Sequence, residues 1–235
     1  MRTVEVQVFK YEELTGSGKD EATSLLIDAV TGHDWWDAVY EDAKNIGERL
    51  GFKDMDIQFS GFWSQGDGAS FDGTWRGSPE VMRAGAAVRE WAPQDERLAA
   101  LGDRMERALL SFRTSLLSIF GDNISEYLET TGPMLHLARI SNHYCHENTV
   151  RVDDCDDTTY RDIEYELGDK AEADCPELAA AITMLVEDVQ DIARDFMRWI
   201  YRQLEKEYEF LTSEENLLDF ATANDYEFFA NGDIA

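Results

Sequence analysis

The sequence predicts an α+β fold: an antiparallel sheet of hairpins with several flanking helices, the last of them long. Three observations carry this. Two separate stretches alternate polar and apolar residues around polar breaks, which is the pattern of half-buried strands joined as hairpins. Several longer stretches repeat apolar residues every three or four positions, as helices with one buried side do. The helical stretches lie before, between and after the hairpin blocks, an order that favours one sheet with helices packed on a face. No fixed-period repeat or low-complexity linker divides the chain, so a single domain over residues 1–235 is expected.

In chain order, Val4, Val6 and Val8 alternate with Glu5 and Gln7 and predict a short strand. After a turn at Thr15–Gly18, Leu25, Leu26, Ala29 and Val30 form the apolar side of a helix. Asp34 is a candidate N-cap for a second helix, whose stripe is Trp35, Val39, Ala43, Ile46 and Leu50, and Gly51 stands at its C-terminal cap. Ile57 and Phe59 then alternate with polar residues, Ser64–Gly68 interrupts, and Ser70–Trp75 resumes the extended pattern. This is a hairpin with a glycine-rich tip. Ser78 and Pro79 open a helix that runs to Trp91 and ends before Pro93. A long helix follows over Leu98–Phe120, with Arg97, Arg104, Arg107 and Arg113 on or beside it. The second β block comprises strands around Leu135, Leu137 and Ile140, around Thr149, Val150 and Val152, and around Ile163, Tyr165 and Leu167. From Pro176 to about Leu211, a continuous stripe from Leu178 through Val189, Phe196 and Leu204 to Tyr208 predicts the longest helix. Ser213, with Asn216 three residues later, restarts a short helix, and Asn231–Asp233 forms a tail.

Charge narrows the function. Forty-nine acidic residues against 21 basic give a formal net charge of −28, while 43% of the residues are hydrophobic, enough for a real core. Binding to nucleic acid rests on Lys and Arg displacing counterions, so a chain this acidic is not expected to bind a phosphate backbone through its overall charge. It attracts basic surfaces instead, such as the groove of a nucleic-acid-binding protein. The three cysteines, Cys145, Cys155 and Cys175, are odd in number and make a poor disulfide framework, which fits a reducing cytoplasm. No signal peptide or membrane-spanning run is read in the sequence.

The most informative stretch is the hairpin tip. Phe62, Trp63, Ser64, Gln65, Gly66, Asp67, Gly68, Ser70 and Phe71 combine aromatic surface, hydrogen-bonding groups and glycines that let a ligand approach the backbone. They are the candidate binding residues. The alternative is that the glycines serve a tight turn while the aromatics pack inward. The tip lacks the Gly-Lys-Ser/Thr ending and the basic residue of a phosphate loop. His136, His143, Cys145 and His146, with the acidic run Asp153–Asp157, contain zinc donors, but their spacing matches no familiar site. Cys145 or Ser64 beside His136 or His143 is a conceivable nucleophile–base pair that only geometry can support. No catalytic set, metal or cofactor is expected. Trp199 and Arg202 fall beside the stripe of the last helix, either as interface anchors or as part of a wide buried face.

The stretch Ile57–Phe71, built on Ser60-Gly61-Phe62-Trp63-Ser64-Gln65-Gly66-Asp67-Gly68, resembles a family of small proteins encoded by bacteriophages and bacteria. So does the run Asp195–Glu215, with Arg198-Trp199-Ile200-Tyr201 and Gln203-Leu204-Glu205-Lys206-Glu207-Tyr208-Glu209 ahead of Leu211-Thr212-Ser213. Phe9 and Leu14, Trp35-Trp36 and Tyr40-Glu41-Asp42-Ala43 extend the resemblance, and the segment 104–127 lies outside it. Some members carry the label of antitoxins of a toxin–antitoxin stability system, and none supplies catalytic residues. The resemblance implies a phage or mobile-element origin. With the charge, it suggests an acidic inhibitor in the cytoplasm of a bacterial host, binding the basic surface of a nucleic-acid-handling or defence protein. Imitation of DNA, as in anti-restriction or anti-CRISPR proteins, is one form of this. A small-molecule binder or enzyme built on residues 64–70, or an antitoxin, is the alternative.

Overall fold

Local sequence signals set most of the elements. In the computed structural model, which describes residues 6–140, 144–154, 158–167 and 175–235, the chain divides into two compact units. One comprises residues 1–39 with 203–235, the other Tyr40–Arg202.

In the smaller unit, helix α1 (Gly16–Thr31) begins directly after Thr15, so the expected turn at Thr15–Gly18 is the first turn of a helix. Its buried residues are Gly18, Ala22, Leu26 and Val30, a strict i, i+4 row. Leu25 is half-buried and Ala29 exposed, because the row that faces the core is narrower than the apolar content suggests. Leu26 and Val30 pack with Tyr11, Leu14, Leu217, Ala221 and Phe228. Leu217 and Ala221 belong to α8 (Glu214–Ala223), whose N-cap Ser213 accepts a hydrogen bond from the Asn216 N–H, as the sequence indicates. The N-terminal strand does not form among the described residues. Val6 and Val8 are exposed, Val4 lies outside the described residues, and the segment's pairing is a single bridge between Phe9 and Phe228. Alternation alone was a weak signal with no partner strand nearby.

The larger unit is built on a four-stranded antiparallel sheet in the order β1 (Phe52–Ser60), β2 (Gly68–Arg76), β3 (Met134–Arg139), β4 (Val150–Asp153). Helix α2 (Asp37–Leu50) starts three residues after Asp34, whose carbonyl accepts the Asp37 N–H in a preceding turn. It ends at Gly51, where φ of +94° lets the chain turn straight into β1. On the inner face, Phe52 and Phe71 pack edge to face at 5.3 Å, and Phe196 of helix α7 (Pro176–Leu211) stacks on Phe52 at 6.1 Å. Trp75 is buried beside them and donates to the Leu50 carbonyl.

Pro79–Arg83 forms a 3₁₀ turn leading into α3 (Ala84–Trp91). Next comes α4 (Glu96–Phe120), capped by Asp95, whose carboxylate accepts the N–H groups of Arg97 and Leu98. Short α5 (Ser125–Thr130) precedes β3. The expected third strand of the second β block is a helix, α6 (Thr158–Leu167). Ile163 and Leu167 are buried four residues apart, while Tyr165 is 90% exposed, so the period is helical and not two. Asp154 caps this helix by accepting the Thr159 N–H. The edge of β4 is covered rather than open: Val152 N–H donates to Gln190, and Arg194 donates to the Val150 carbonyl. With helices packed on an antiparallel sheet and a long C-terminal helix, the fold is α+β as predicted.

Candidate functional site

The hairpin tip folds back on itself. Between β1 and β2, one oxygen of the Asp67 carboxylate accepts the backbone N–H groups of Trp63 at 2.9 Å and Ser64 at 2.6 Å. The Asp67 N–H closes the turn onto the Ser64 carbonyl, with Gly66 at φ +96°. Asp67 thereby orders the turn. Phe62 is half-buried between Phe59 and Tyr201, at 5.8 and 5.6 Å, and the Tyr201 hydroxyl donates to the Gly61 carbonyl. Gly68 is covered by the segment before β4, since a Cβ there would lie 2.9 Å from the His146 Cα. Ser70 and Phe71 are fully buried, Phe71 on the inner face against Phe196 at 6.0 Å. The predicted set is therefore split. Trp63, Ser64 and Gln65 are exposed at the tip, Trp63 at 82%; Phe62, Gly66 and Asp67 are half-buried in the turn; Gly68, Ser70 and Phe71 belong to the packed sheet.

The outer face of this hairpin is polar. By register Asp56, Gln58 and Ser60 share a face with Asp72 and Ser70. The Arg139 side chain, only 7% exposed, pairs with both Asp56 and Asp72 of this face. Among the described residues, Arg139 Nη1 and the hydroxyls of Ser60 and Ser70 have no hydrogen-bond partner. Cys145 is close to this cluster. Burial, and secondarily the Asp67 carboxylate, push its thiol above the ordinary value, while Arg139 pulls the other way. The balance keeps Cys145 protonated at neutral pH, a poor state for a nucleophile. Among the described residues no imidazole hydrogen-bonds to Cys145 or Ser64, and no three His, Cys, Asp or Glu side chains converge as metal ligands. His136 sits in β3 opposite Thr74 and Asp153, and His146 accepts the Asn148 N–H 3.1 Å from Glu147. The remaining candidate donors, His143, Cys155, Asp156 and Asp157, lie outside the described residues.

A second feature lies between α4 and α7. A pocket of about 260 Å³ is lined by Arg97, Leu101 and Arg104 from α4, and by Asp195, Arg198, Trp199 and Arg202 from α7. Arg104 pairs with Asp195. Arg198 is shared between Glu147 at 2.8 Å and Asp195 at 2.7 Å, and both carboxylates hold its guanidinium above its ordinary value. Neither Arg97 nor Arg202 has a carboxylate partner among the described residues. Trp199 is fixed as a wall of the pocket: its ring stacks on Phe196 at 5.8 Å, and its indole N–H donates to the Asp95 cap at 2.8 Å. Arg97, Arg104, Trp199 and Arg202 stand out in the sequence one helix at a time, and no local pattern joins them. The available signal was spacing, since Arg97 and Arg104 are seven apart and Arg198 and Arg202 four apart, each pair on one helix side.

Charge is unevenly divided. The smaller unit holds 17 acidic and four basic residues, a formal charge of −13 in 72 residues, against −15 in the 163 of the larger unit. Of its 16 described acidic residues, 14 are exposed, and among the described residues only Glu214 and Glu227 lie within ion-pair reach of a lysine. No helix among the described residues is long and apolar enough to cross a membrane.

No curated protein and no solved structure matches the chain. Residues 35–214, well over half of it, match the family described as a domain of unknown function (DUF8835), and the protein belongs to that family.

Proposed function

We propose that the protein is a non-enzymatic inhibitor that acts through its acidic surface. It occupies the basic face of a nucleic-acid-handling or defence protein in the cytoplasm of a bacterial host. The observation that carries this reading is the smaller unit's excess of exposed carboxylates, nearly all of them, among the described residues, without a cation beside them. Unpaired surface carboxylates repel one another and lower stability, so their density is best accounted for by a partner that neutralises them. Such a surface steers a basic partner over a Debye length of about 8 Å at physiological salt, and it competes with the partner's own polyanion. Trp63, exposed at an ordered tip, is the residue type that anchors interfaces, and it supplies a second contact. In the antitoxin form of this reading, the partner is a toxin.

The test is capture from bacterial lysate over a salt series, with duplex DNA as competitor and a Glu214→Gln, Glu215→Gln, Asp219→Asn variant in parallel. The expected result is retention of a nucleic-acid-binding or defence protein that salt weakens, DNA displaces and the variant loses. Retention of the same protein by the variant, unchanged by salt, would overturn the reading.

A further inference from the structure

We propose that the pocket between α4 and α7 binds a small phosphate monoester, with Arg97 and Arg202 receiving the phosphate. The chain has more than two acidic residues for each basic one, yet four guanidiniums and a single carboxylate, Asp195, line one cavity. Guanidiniums placed only to hold α4 against α7 would each meet a carboxylate. Arg104 and Arg198 do so, through Asp195 and Glu147. Among the described residues Arg97 and Arg202 do not, in a protein with carboxylates to spare. Two such groups, flanked by two more, match a dianion, and the planar fork of arginine meets phosphate oxygens in pairs.

Size and wall chemistry narrow the ligand further. At about 260 Å³ the cavity falls just below the range of about 300–1,000 Å³ typical of ligand pockets, so it suits a mononucleotide-sized molecule or smaller. Trp199, Leu101 and Ala100 give it an apolar side for a planar or aliphatic group attached to the phosphate. Trp199 is held in place before any ligand arrives, by Phe196 on its face and Asp95 on its indole nitrogen, so little ordering is left to be done on binding. A nucleic-acid polymer is disfavoured, because every further phosphate outside the pocket meets the field of a −28 protein. A monoester presents one dianion and meets the arginines at close range, where screening is weak.

The experiment is calorimetric titration of the full chain with inorganic phosphate, a nucleoside monophosphate, the corresponding nucleoside and succinate, with tryptophan fluorescence as a second readout. The expected order is monophosphate tighter than inorganic phosphate, with the nucleoside and succinate weaker than either. Arg97→Gln with Arg202→Gln should weaken the monophosphate at least about tenfold, the effect of losing about 1.4 kcal/mol of charge-assisted bonding. Asp195→Asn, which removes the carboxylate that lines the pocket, should tighten it by up to about tenfold. Trp199→Phe should abolish the fluorescence change while the heat of binding remains. Absence of binding by any phosphate probe at millimolar concentration, equal binding in the Arg97→Gln, Arg202→Gln variant, or preference for succinate or the nucleoside would overturn the proposal. Thermal unfolding of each variant shows that the loss is local.

Discussion

The hairpin tip and the α4–α7 pocket are both rich in groups that bind ligands, but they use those groups differently. At the tip, Asp67 is engaged by two backbone N–H groups, Phe62 is held between Phe59 and Tyr201, and Gly68 lies under His146. Its distinctive residues are largely spent on making the turn. In the pocket, Arg104 and Arg198 are engaged by carboxylates, whereas Arg97 and Arg202 meet none among the described residues and lie beside a fixed tryptophan. A conspicuous local sequence thus marks a structural device, and an inconspicuous pair of helix faces marks the better place for a ligand. The same side-chain chemistry means different things according to whether the fold has already consumed it.

The two regions meet at Phe196, which touches Phe52 and Phe71 beneath the hairpin and stacks on Trp199 at the pocket wall. Phe196→Ala should therefore break both at once. The ring is fully buried, and such truncations cost about 3–5 kcal/mol. Chemical denaturation should record a loss of that size, together with disturbed Trp199 fluorescence. A loss under about 1 kcal/mol would mean that the two regions are supported independently.

How much of this was legible follows from where each signal resides. The hairpin, its tip, the caps at Gly51 and Ser213 and the stripe of α7 are written within a few residues of one another, and each was readable. Helix α6 was not. Ile163, Tyr165 and Leu167 satisfy a period of two, and only the burial of Thr159, Ile163 and Leu167 together reveals the period of four. Which tip residues turn inward was also hidden, because the segment that covers Gly68 comes from about 80 residues later in the chain. The pocket needed still more: α4 and α7 must lie side by side before Arg97 and Arg202 share a cavity, and no local pattern states that pairing.

Asp67→Ala loosens the tip alone. Two backbone N–H groups lose their acceptor, comparable to the loss of a helix cap, so about 1–2 kcal/mol is expected. Amide exchange should accelerate at Trp63 and Ser64 while Trp199 is unaffected. An exchange pattern that spreads along α7 would mean that the tip and the pocket are not independent.

Cys145 offers a smaller effect with a defined sign. Its thiol lies above the ordinary value, chiefly through burial, so it should alkylate more slowly than an unperturbed thiol at neutral pH. Its rate should keep rising past the ordinary titration range near pH 8.5, where a free thiol levels off. Asp67→Asn removes a raising charge and should shift the profile to lower pH, whereas Arg139→Gln removes a lowering charge and should shift it upward. Mass-spectrometric mapping of iodoacetamide adducts across a pH series checks both directions, and a profile indifferent to either substitution would remove Cys145 from this cluster.

The smallest change is expected at the two pocket arginines. Arg97 and Arg202 are solvent-exposed and hold no carboxylate among the described residues, so Arg97→Gln with Arg202→Gln should alter stability by no more than about 0.5 kcal/mol. Two opposing terms keep it small. Removing the pair relieves repulsion from Arg104 and Arg198, but it also takes two cations away from a −28 protein whose field favours them. Added salt weakens both terms together, so the difference between variant and parent should stay small across a salt series. If thermal unfolding instead shows a loss above about 1 kcal/mol, these arginines serve the α4–α7 packing as Asp67 serves the tip, and the pocket has been consumed by the fold after all.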